Sequence, residues 1–299
     1  LYPRGTIKAA RVILVGVGPV GEVSAETLRR AVATAVKRAR ELKVKRLAVA
    51  LYSGGAITAE VSARATAEAA LLANYQYNGQ KSGEIPDDTL TSLEVLVSKA
   101  SKKTENALRE GEAFGRGAIT TRNLVNLPPN ICTPIYLASV ARNIADNHGL
   151  SIEVLERGQM EALRMGALLA VAQGSDTPPR FIILEHNASK AKKLDTVVLV
   201  GKGVTFDTGG YSIKTAEGMV GMKSDMAGAA AVIGAMQTVA MLNLPLHVVG
   251  LVPAADNMIS GNAYRPEDVI TASNDKTIEV ISTDAEGRLL LADALVYAK

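Results

Sequence analysis

The segment TVVLVGKGVTFDTGG, residues 196–210, decides how the second half of this chain folds. Its first five residues are apolar and largely β-branched, which predicts a strand buried on both faces of a sheet. The segment ends with glycines at positions 209 and 210, and a backbone without Cβ atoms can approach a ligand closely there. Lys202 and Asp207 flank this predicted strand end, which is where open α/β sheets place their ligands.

Asp225 closes a second polar segment, MKSD at residues 222–225. It stands directly before the Ala- and Gly-rich run from Met226 to Leu242, which predicts a helix. The first N–H groups of a helix lack intrahelical partners, so a carboxylate is favourable at that position. Alone, such a residue indicates no more than a helix cap.

A third segment, STDAEGRL at residues 282–289, carries Asp284, Glu286 and Arg288 two positions apart. In an extended conformation this spacing puts the three side chains on one face. Two carboxylates aimed the same way repel each other unless a cation lies between them, and the guanidinium favours an anion. Each acid alone is readily a cap or a surface charge. Together the four acids predict a metal site.

These segments resemble the signatures of the leucyl aminopeptidase family, the two-metal cytosol aminopeptidases of peptidase family M17. Residues 282–289 match the family's NTDAEGRL except at Ser282, where the family has Asn. Residues 201–214 and 222–225 match in sequence and in spacing. The similarity extends from about Thr121 to the last residue, and more loosely back to the start.

The resemblance implies two divalent metal ions. Their expected ligands are Lys202, Asp207, Asp225, Asp284 and Glu286. One ion would be held by Lys202, Asp207, Asp225 and Glu286. The other would be held by Asp207, Asp284 and Glu286, so that Asp207 and Glu286 would bridge the two ions. Lys202 can bind a metal only as a neutral amine, so the ion must lower its pKa. Oxygen and amine ligands suit Zn²⁺ or Mn²⁺, with Mg²⁺ and Co²⁺ as further candidates.

Three more residues receive roles by resemblance. Lys214 is expected to stay charged and polarise the scissile carbonyl, and Arg288 to hold a bicarbonate ion that acts as general base. Met222 occupies a position that lines the family's specificity pocket, although methionine is equally an ordinary core residue. The implied function is removal of N-terminal, preferably apolar, residues from peptides by a cytoplasmic homohexamer.

Two other classes of function stay open at this point. A two-metal phosphatase uses similar carboxylates, but it is expected to lack a lysine ligand and to carry phosphate-binding cations. A non-catalytic structural or DNA-binding relative would keep the fold with an idle site. The net charge of only +3 and the absence of an uninterrupted apolar span predict neither nucleic acid nor membrane as the main partner.

Length and pattern predict two α/β domains within 299 residues. Residues 1–101 are expected to form an N-terminal macro-like α/β domain, residues 102–122 a linking helix, and residues 123–299 a catalytic α/β domain with a mixed sheet flanked by helices. The chain starts without Met and stops before the family's catalytic domain ends, so we expect it to be truncated at both ends.

Apolar runs and amphipathic periodicity predict the individual elements. The expected strands are Arg11–Gly16, Arg46–Tyr52, Ser92–Val97, Ser151–Leu155, Arg180–Glu185, Val197–Val200, His247–Val252 and Ile278–Ile281. The expected helices are Ala25–Lys43, Thr58–Ala73, Lys102–Thr121, Pro134–Asn147 and Met226–Leu242. Ser24 and Thr133 are predicted N-caps. Residues 79–88 predict a polar loop, and residues 123–130, with two prolines, a break in the helical pattern.

Other motifs favour no alternative chemistry. Residues 16–21 read GVGPVG after a predicted strand, but a proline in the loop and the lack of an acid after the next strand favour a plain glycine turn over a dinucleotide site. His148, His186 and His247 lack the spacing of a zinc site. Cys132 has no evident base and cannot form an internal disulfide, because it is the only cysteine.

Overall fold

The computed structural model describes residues 1–3, 5, 7–84 and 89–299. The last four residues of the polar loop predicted at 79–88 lie outside the described residues. The described chain divides into two compact units, Leu1–Ile119 and Thr120–Lys299. Mixed α/β structure in both units confirms the predicted fold class.

The first unit contains helices α1, Ala25–Glu41, and α2, Ala59–Asn74, and strands β1, Arg46–Ala50, and β2, Ser92–Leu96. Helix α3, Lys102–Asn126, begins here and ends in the second unit. The strands pair in parallel. The predicted cap of α1 is confirmed, because Ser24 Oγ accepts a hydrogen bond from Thr27 N at 3.2 Å.

The strand predicted at Arg11–Gly16 is wrong. The segment has no regular structure, and its Val12 N–H and C=O form hydrogen bonds with the backbone of Leu1. Ile13 packs against the core of the unit, whereas Leu14 is exposed. A β-branched run favours an extended conformation, but a strand also needs a neighbouring ladder, and no described strand supplies one beside this segment.

Three arginines of α1 form ion pairs within the first unit. Arg29 pairs with Glu68 at 2.7 Å, Arg30 with Glu26 at 3.0 Å and Arg38 with Glu41 at 2.7 Å. Charges paired in this way offer little attraction to a phosphate backbone, since acidic partners already lie beside them.

The second unit holds the remaining elements. Its helices are α4 Pro134–His148, α5 Arg157–Ala162, α6 Gly166–Ala172, α7 Ala216–Met219, α8 Ala227–Leu242 and α9 Glu286–Tyr297. Its strands are β3 Ser151–Leu155, β4 Arg180–His186, β5 Thr196–Val200, β6 Gly203–Asp207, β7 His247–Asn257, β8 Val269–Thr271 and β9 Thr277–Glu279. Short 3₁₀ turns at Met222–Ser224 and Thr283–Ala285 precede α8 and α9.

Strand β7 organises the mixed sheet of the second unit. It pairs antiparallel with β4, which pairs antiparallel with β3. On its other edge, β7 pairs in parallel with β5 along its first half and with β6 along its second half. The strand therefore runs five residues beyond the predicted His247–Val252. Its carboxyl end reaches Asn257, opposite Asp207 at the end of β6.

Helices cover both faces of this sheet. In β4, Ile182 and Leu184 join one core with α4 and α8, whereas Phe181 and Ile183 join a second core with α6 and α9. This alternation follows from the two-residue period of a strand. By length and hydropathy alone, the helical stretch 216–242 could span a membrane, as core helices of soluble proteins also could. In this fold α8 buries residues such as Ile233 against the sheet.

Several further boundaries differ from prediction. Helix α3 continues to Asn126, so the helical pattern ends at the prolines themselves and not at residue 123. The strand predicted at Ile278–Ile281 is β9, which ends at Glu279. Helix α4 confirms its predicted cap, since Thr133 Oγ1 accepts from Tyr136 N at 3.3 Å.

Candidate metal centre

Asp207 ends β6 at the carboxyl edge of the parallel strands, and its side chain is almost fully buried. One carboxylate oxygen, Oδ1, accepts hydrogen bonds from Gly209 N and Asn257 Nδ2, each at 2.8 Å. The backbone turns there through Gly209, whose φ is +86°. A Cβ atom at Gly209 would lie 2.5 Å from Ser212 O and 3.0 Å from Asp284 Oδ1. Only glycine therefore allows this approach.

Lys202 lies between β5 and β6 and joins two of the predicted ligands. Its Nζ lies 2.9 Å from Asp225 Oδ2 and 2.8 Å from Glu286 Oε1. Its carbonyl accepts a hydrogen bond from Ala229 N in the first turn of α8 at 2.8 Å. The side chain passes Gly287, where an added Cβ would lie 2.7 to 2.8 Å from its last three atoms. We call these three residues, Lys202, Asp225 and Glu286, the Lys202 cluster.

Lys214 makes a second, similar arrangement, the Lys214 cluster, with Asp207 and Asp284. Its Nζ lies 2.9 Å from Asp207 Oδ2 and also contacts Asp284 Oδ1. Its backbone N–H donates to Thr208 O at 2.9 Å, which closes the loop that follows Asp207. The structure thus brings together all five predicted metal ligands and Lys214.

The conformation expected for residues 282–289 is wrong, although its residues meet as expected. The segment is a 3₁₀ turn, Thr283–Ala285, followed by α9 from Glu286, and not an extended strand. Asp284 lies in the turn and is exposed, whereas Glu286 opens the helix and is buried. Both point to Asp207 because the chain changes direction between them. Arg288, two residues beyond Glu286 in α9, is exposed and pairs with no acid in the described part of the chain.

Asp225 does not cap α8, the role that its position alone would favour. The N-cap of α8 is Met226, which has no side-chain cap, and the Asp225 carboxylate pairs with Lys202 instead. Met222 starts the preceding 3₁₀ turn and is half-buried, and its carbonyl accepts Asp225 N at 3.2 Å.

Burial and charge act together on these groups. Burial raises the pKa of Asp225 and of Glu286, and Lys202 only partly opposes this. Burial by itself would lower the pKa of Lys202, but its hydrogen bonds to Glu286 and Asp225 and their charges raise it. The same balance, with Asp284 and Asp207 as partners, raises the pKa of Lys214. Without a metal, both lysines are therefore ammonium ions that partly neutralise the acids.

The donor set fits divalent cations. Oxygens of Asp207, Asp284 and Glu286 all lie within 4.8 Å of one another. Glu286 Oε2 is buried and has no hydrogen-bond partner among the described residues. A buried carboxylate oxygen left unpaired is costly, and a cation beside it would remove that cost. Two ammonium groups also leave the four acids with excess negative charge.

Asn257 is part of this site, and sequence reasoning missed it. Its side chain is fully buried and contacts both Asp207 and the backbone of Thr283. The available signal was a polar residue at the end of a long apolar run, but the predicted strand ended five residues too early to show it. The three histidines and Cys132 lie outside the cluster, and burial raises the pKa of the Cys132 thiol to about 11.

Family models and relatives agree on one group of proteins. The model of the cytosol aminopeptidase family, catalytic domain, matches residues 119–299, and that of the N-terminal domain matches residues 1–84. Probable cytosol aminopeptidases of Roseiflexus castenholzii and Bacillus subtilis are 45% and 42% identical to the whole chain. The chain spans 62% and 60% of their lengths.

Solved structures give the same picture. The bottromycin maturation enzyme BotP in complex with Mn is 38% identical, with a TM-score of 0.86 over 95% of this chain and 59% of that one. A mutant of tomato leucine aminopeptidase is also 38% identical, with a TM-score of 0.83 over 92% of this chain and 54% of that one.

Proposed function

Because this chain belongs to the cytosol aminopeptidase family, we propose that it acts as a metal-dependent aminopeptidase. It would release N-terminal, preferably apolar and leucine-like, residues from peptides. The observation that carries the proposal is the convergence of Asp207, Asp284 and Glu286 with two lysines at one sheet edge. In this proposal residues 123–299 are the catalytic domain, residues 1–101 the N-terminal domain and residues 102–122 the link.

The five predicted ligands hold two divalent ions in this proposal: Lys202, Asp207, Asp225, Asp284 and Glu286. Asp207 and Glu286, the two most buried acids of this set, would contribute to both sites. Bound ions would supply Lewis acidity and lower the pKa of a bound water molecule. The Mn named with BotP supports manganese as one candidate, and zinc is the other, with Mg²⁺ and Co²⁺ next.

Three further residues of the chain would act on the substrate or on the general base. Lys214 keeps its proton and places a positive charge where negative charge develops on the scissile carbonyl oxygen. Arg288 would hold a bicarbonate ion as general base, and its exposure, without an acidic partner among the described residues, supports this. Met222 contacts the substrate side chain. A free substrate amino group completes recognition, which makes the enzyme an exopeptidase.

The family resemblance also leads us to propose a cytoplasmic homohexamer that acts on peptides. The names of the relatives support the cytosol as location. Neither a membrane nor nucleic acid is proposed as a partner. The ion pairs along α1 support this for nucleic acid.

Hydrolysis of leucine p-nitroanilide by the purified chain with Mn²⁺ or Zn²⁺ tests the proposal. We expect turnover that is lost in Asp284→Ala and with the N-acetylated substrate, since the free amino group is required. A wild-type chain that binds two metal ions but hydrolyses nothing would contradict the proposed activity and favour an idle site. A wild-type chain that binds no metal would overturn the metal centre itself.

A further inference from the structure

The side-chain amide of Asn257 joins the two halves of the candidate metal centre. Its Nδ2 donates to Asp207 Oδ1 at 2.8 Å and to Thr283 O at 3.0 Å. Asp207 belongs to β6, whereas Thr283 immediately precedes Asp284 in the 3₁₀ turn. One buried NH₂ group therefore spans the two chain segments that carry three of the acids.

The orientation of this amide is fixed by its partners. Both atoms that Nδ2 contacts are acceptors, so a flipped amide would put oxygen against oxygen on both sides. In the observed orientation Asn257 Oδ1 is buried without a hydrogen-bond partner among the described residues. It faces the Gly209–Gly210 turn, since a Cβ atom at Gly210 would lie 3.1 Å from it.

An unpaired buried carbonyl disfavours folding, so stability alone does not account for asparagine at this position. Asn257 gives the buried Asp207 carboxylate a neutral donor at Oδ1, beside the charged donor that Lys214 supplies at Oδ2. The amide therefore adds no charge that would compete with a metal ion. The other donor to Asp207 Oδ1, Gly209 N, comes from the same turn as Asp207, and that turn is joined to Thr283 separately, because Thr283 Oγ1 donates to Gly209 O at 2.6 Å.

We propose that Asn257 is a positioning residue of the metal centre, which orients the Asp207 carboxylate relative to the Thr283–Ala285 turn. The inference rests on the proposed metal-binding function. Loss of the Asn257 amide should weaken metal binding first and turnover second. Removing a hydrogen bond that supports a metal ligand typically lowers metal affinity about 10- to 100-fold.

The test compares Asn257→Leu with Thr205→Val. Leucine keeps the branched shape and removes the amide. Thr205 is equally buried, lies on β6 two residues before Asp207, and donates its hydroxyl to the Asp256 side chain, away from the acids of the centre. Both variants therefore lose a buried side-chain hydrogen bond at the same strand pair. Mn²⁺ binding is followed by the electron paramagnetic resonance signal of free and bound Mn²⁺, and unfolding is measured in chelator.

We expect Mn²⁺ affinity to fall about 10- to 100-fold in Asn257→Leu, with a changed spectrum of the bound ion, and to stay within about twofold in Thr205→Val. Asn257→Ala, which admits water as a substitute donor, should lie between wild type and Asn257→Leu, and it replaces Asn257→Leu if that variant does not fold. Unchanged affinity in the folded Asn257 variant would overturn the inference while leaving the proposed function standing. A wild-type chain that binds no Mn²⁺ would overturn both.

Discussion

The Lys202 cluster and the Lys214 cluster have the same composition, one lysine between two carboxylates, but they are held differently. Lys202 lies between two strands, and its carbonyl is bound by the first turn of α8. Lys214 lies in the loop after Asp207, outside any helix or strand. Neither lysine is on a helix or strand, but Lys202 is in the two-residue connection between β5 and β6, which is anchored at both ends and holds it more closely than the loop holds Lys214. The comparison supports Lys202 as a metal ligand and Lys214 as the cation that meets the substrate.

The acids of the two clusters sharpen this contrast. Glu286 is 2% exposed and Asp225 22%, whereas Asp207 is 4% and Asp284 41% exposed. The two acids of the Lys202 cluster are thus the more enclosed pair, whereas the Lys214 cluster is open to solvent at Asp284.

The largest effect should follow from Lys214→Met, which keeps the apolar stem and removes the charge. We expect kcat to fall about 10²- to 10³-fold, the loss typical for one donor to a developing oxyanion. Two metal ions should still bind, since Lys214 is not a proposed ligand. Steady-state kinetics with leucine p-nitroanilide and a parallel Mn²⁺ titration measure the two quantities. Loss of metal binding in this variant would contradict the proposal that Lys202 binds a metal ion and Lys214 does not.

Lys202→Met should show the opposite pattern. We expect affinity for one of the two ions to fall by at least about 10- to 100-fold, the range known for residues that merely support ligands. At saturating metal the variant should recover more of its activity than Lys214→Met does. The measurement is kcat as a function of Mn²⁺ concentration for both variants. Equal recovery in both would show that the two clusters are functionally alike.

The pKa of Lys202 gives a smaller and pH-dependent effect. In the metal-free chain that pKa is raised above the ordinary value of about 10.4, so the amine is protonated at pH 8. Coordination requires the neutral amine, and metal binding must therefore release about one proton from Lys202. Affinity should rise by up to about tenfold per pH unit through this group, because proton and metal compete. Titration calorimetry at pH 8 in buffers of different ionisation enthalpy counts the protons.

Lys214→Met is the control for that proton count. Its release should equal that of the wild type, whereas Lys202→Met should release about one proton fewer. The same count in Lys202→Met as in the wild type would exclude the amine as a ligand, whatever its effect on affinity.

Both clusters could be predicted from sequence because their residues follow strand ends and glycines, where polar groups converge without entering a core. The strand before Lys202, the helix after Asp225 and both caps were predictable for the same local reasons, whereas β6, which ends at Asp207, was not predicted. The local conformation of residues 282–289 was not. A spacing of two fits one face of a strand, but in a helix residues two apart diverge, and only the transition from 3₁₀ turn to α9 brings Asp284 and Glu286 together.

The remaining differences arise from tertiary pairing. Arg11–Gly16 has the composition of a strand, and whether it becomes one depends on a neighbour far along the chain. The extension of β7 to Asn257 depends in the same way on β6, which supplies its partner along the second half. The sequence around Asn257 therefore carries no local sign that its amide meets Asp207.

The smallest predicted effect concerns Ser282, which holds the turn beneath the Lys214 cluster. Its Oγ accepts a hydrogen bond from Asp284 N at 3.2 Å and caps the Thr283–Ala285 turn. Ser282→Ala should cost about 0.5 to 2 kcal/mol of unfolding free energy, the range for lost N-caps, as measured by urea denaturation in chelator. Ser282→Asn should cost little, because Asn is an equally good cap. If Ser282→Ala instead weakens Mn²⁺ binding as strongly as Lys202→Met, the turn supports the Lys202 cluster as well, and the two clusters cannot be treated as separately held.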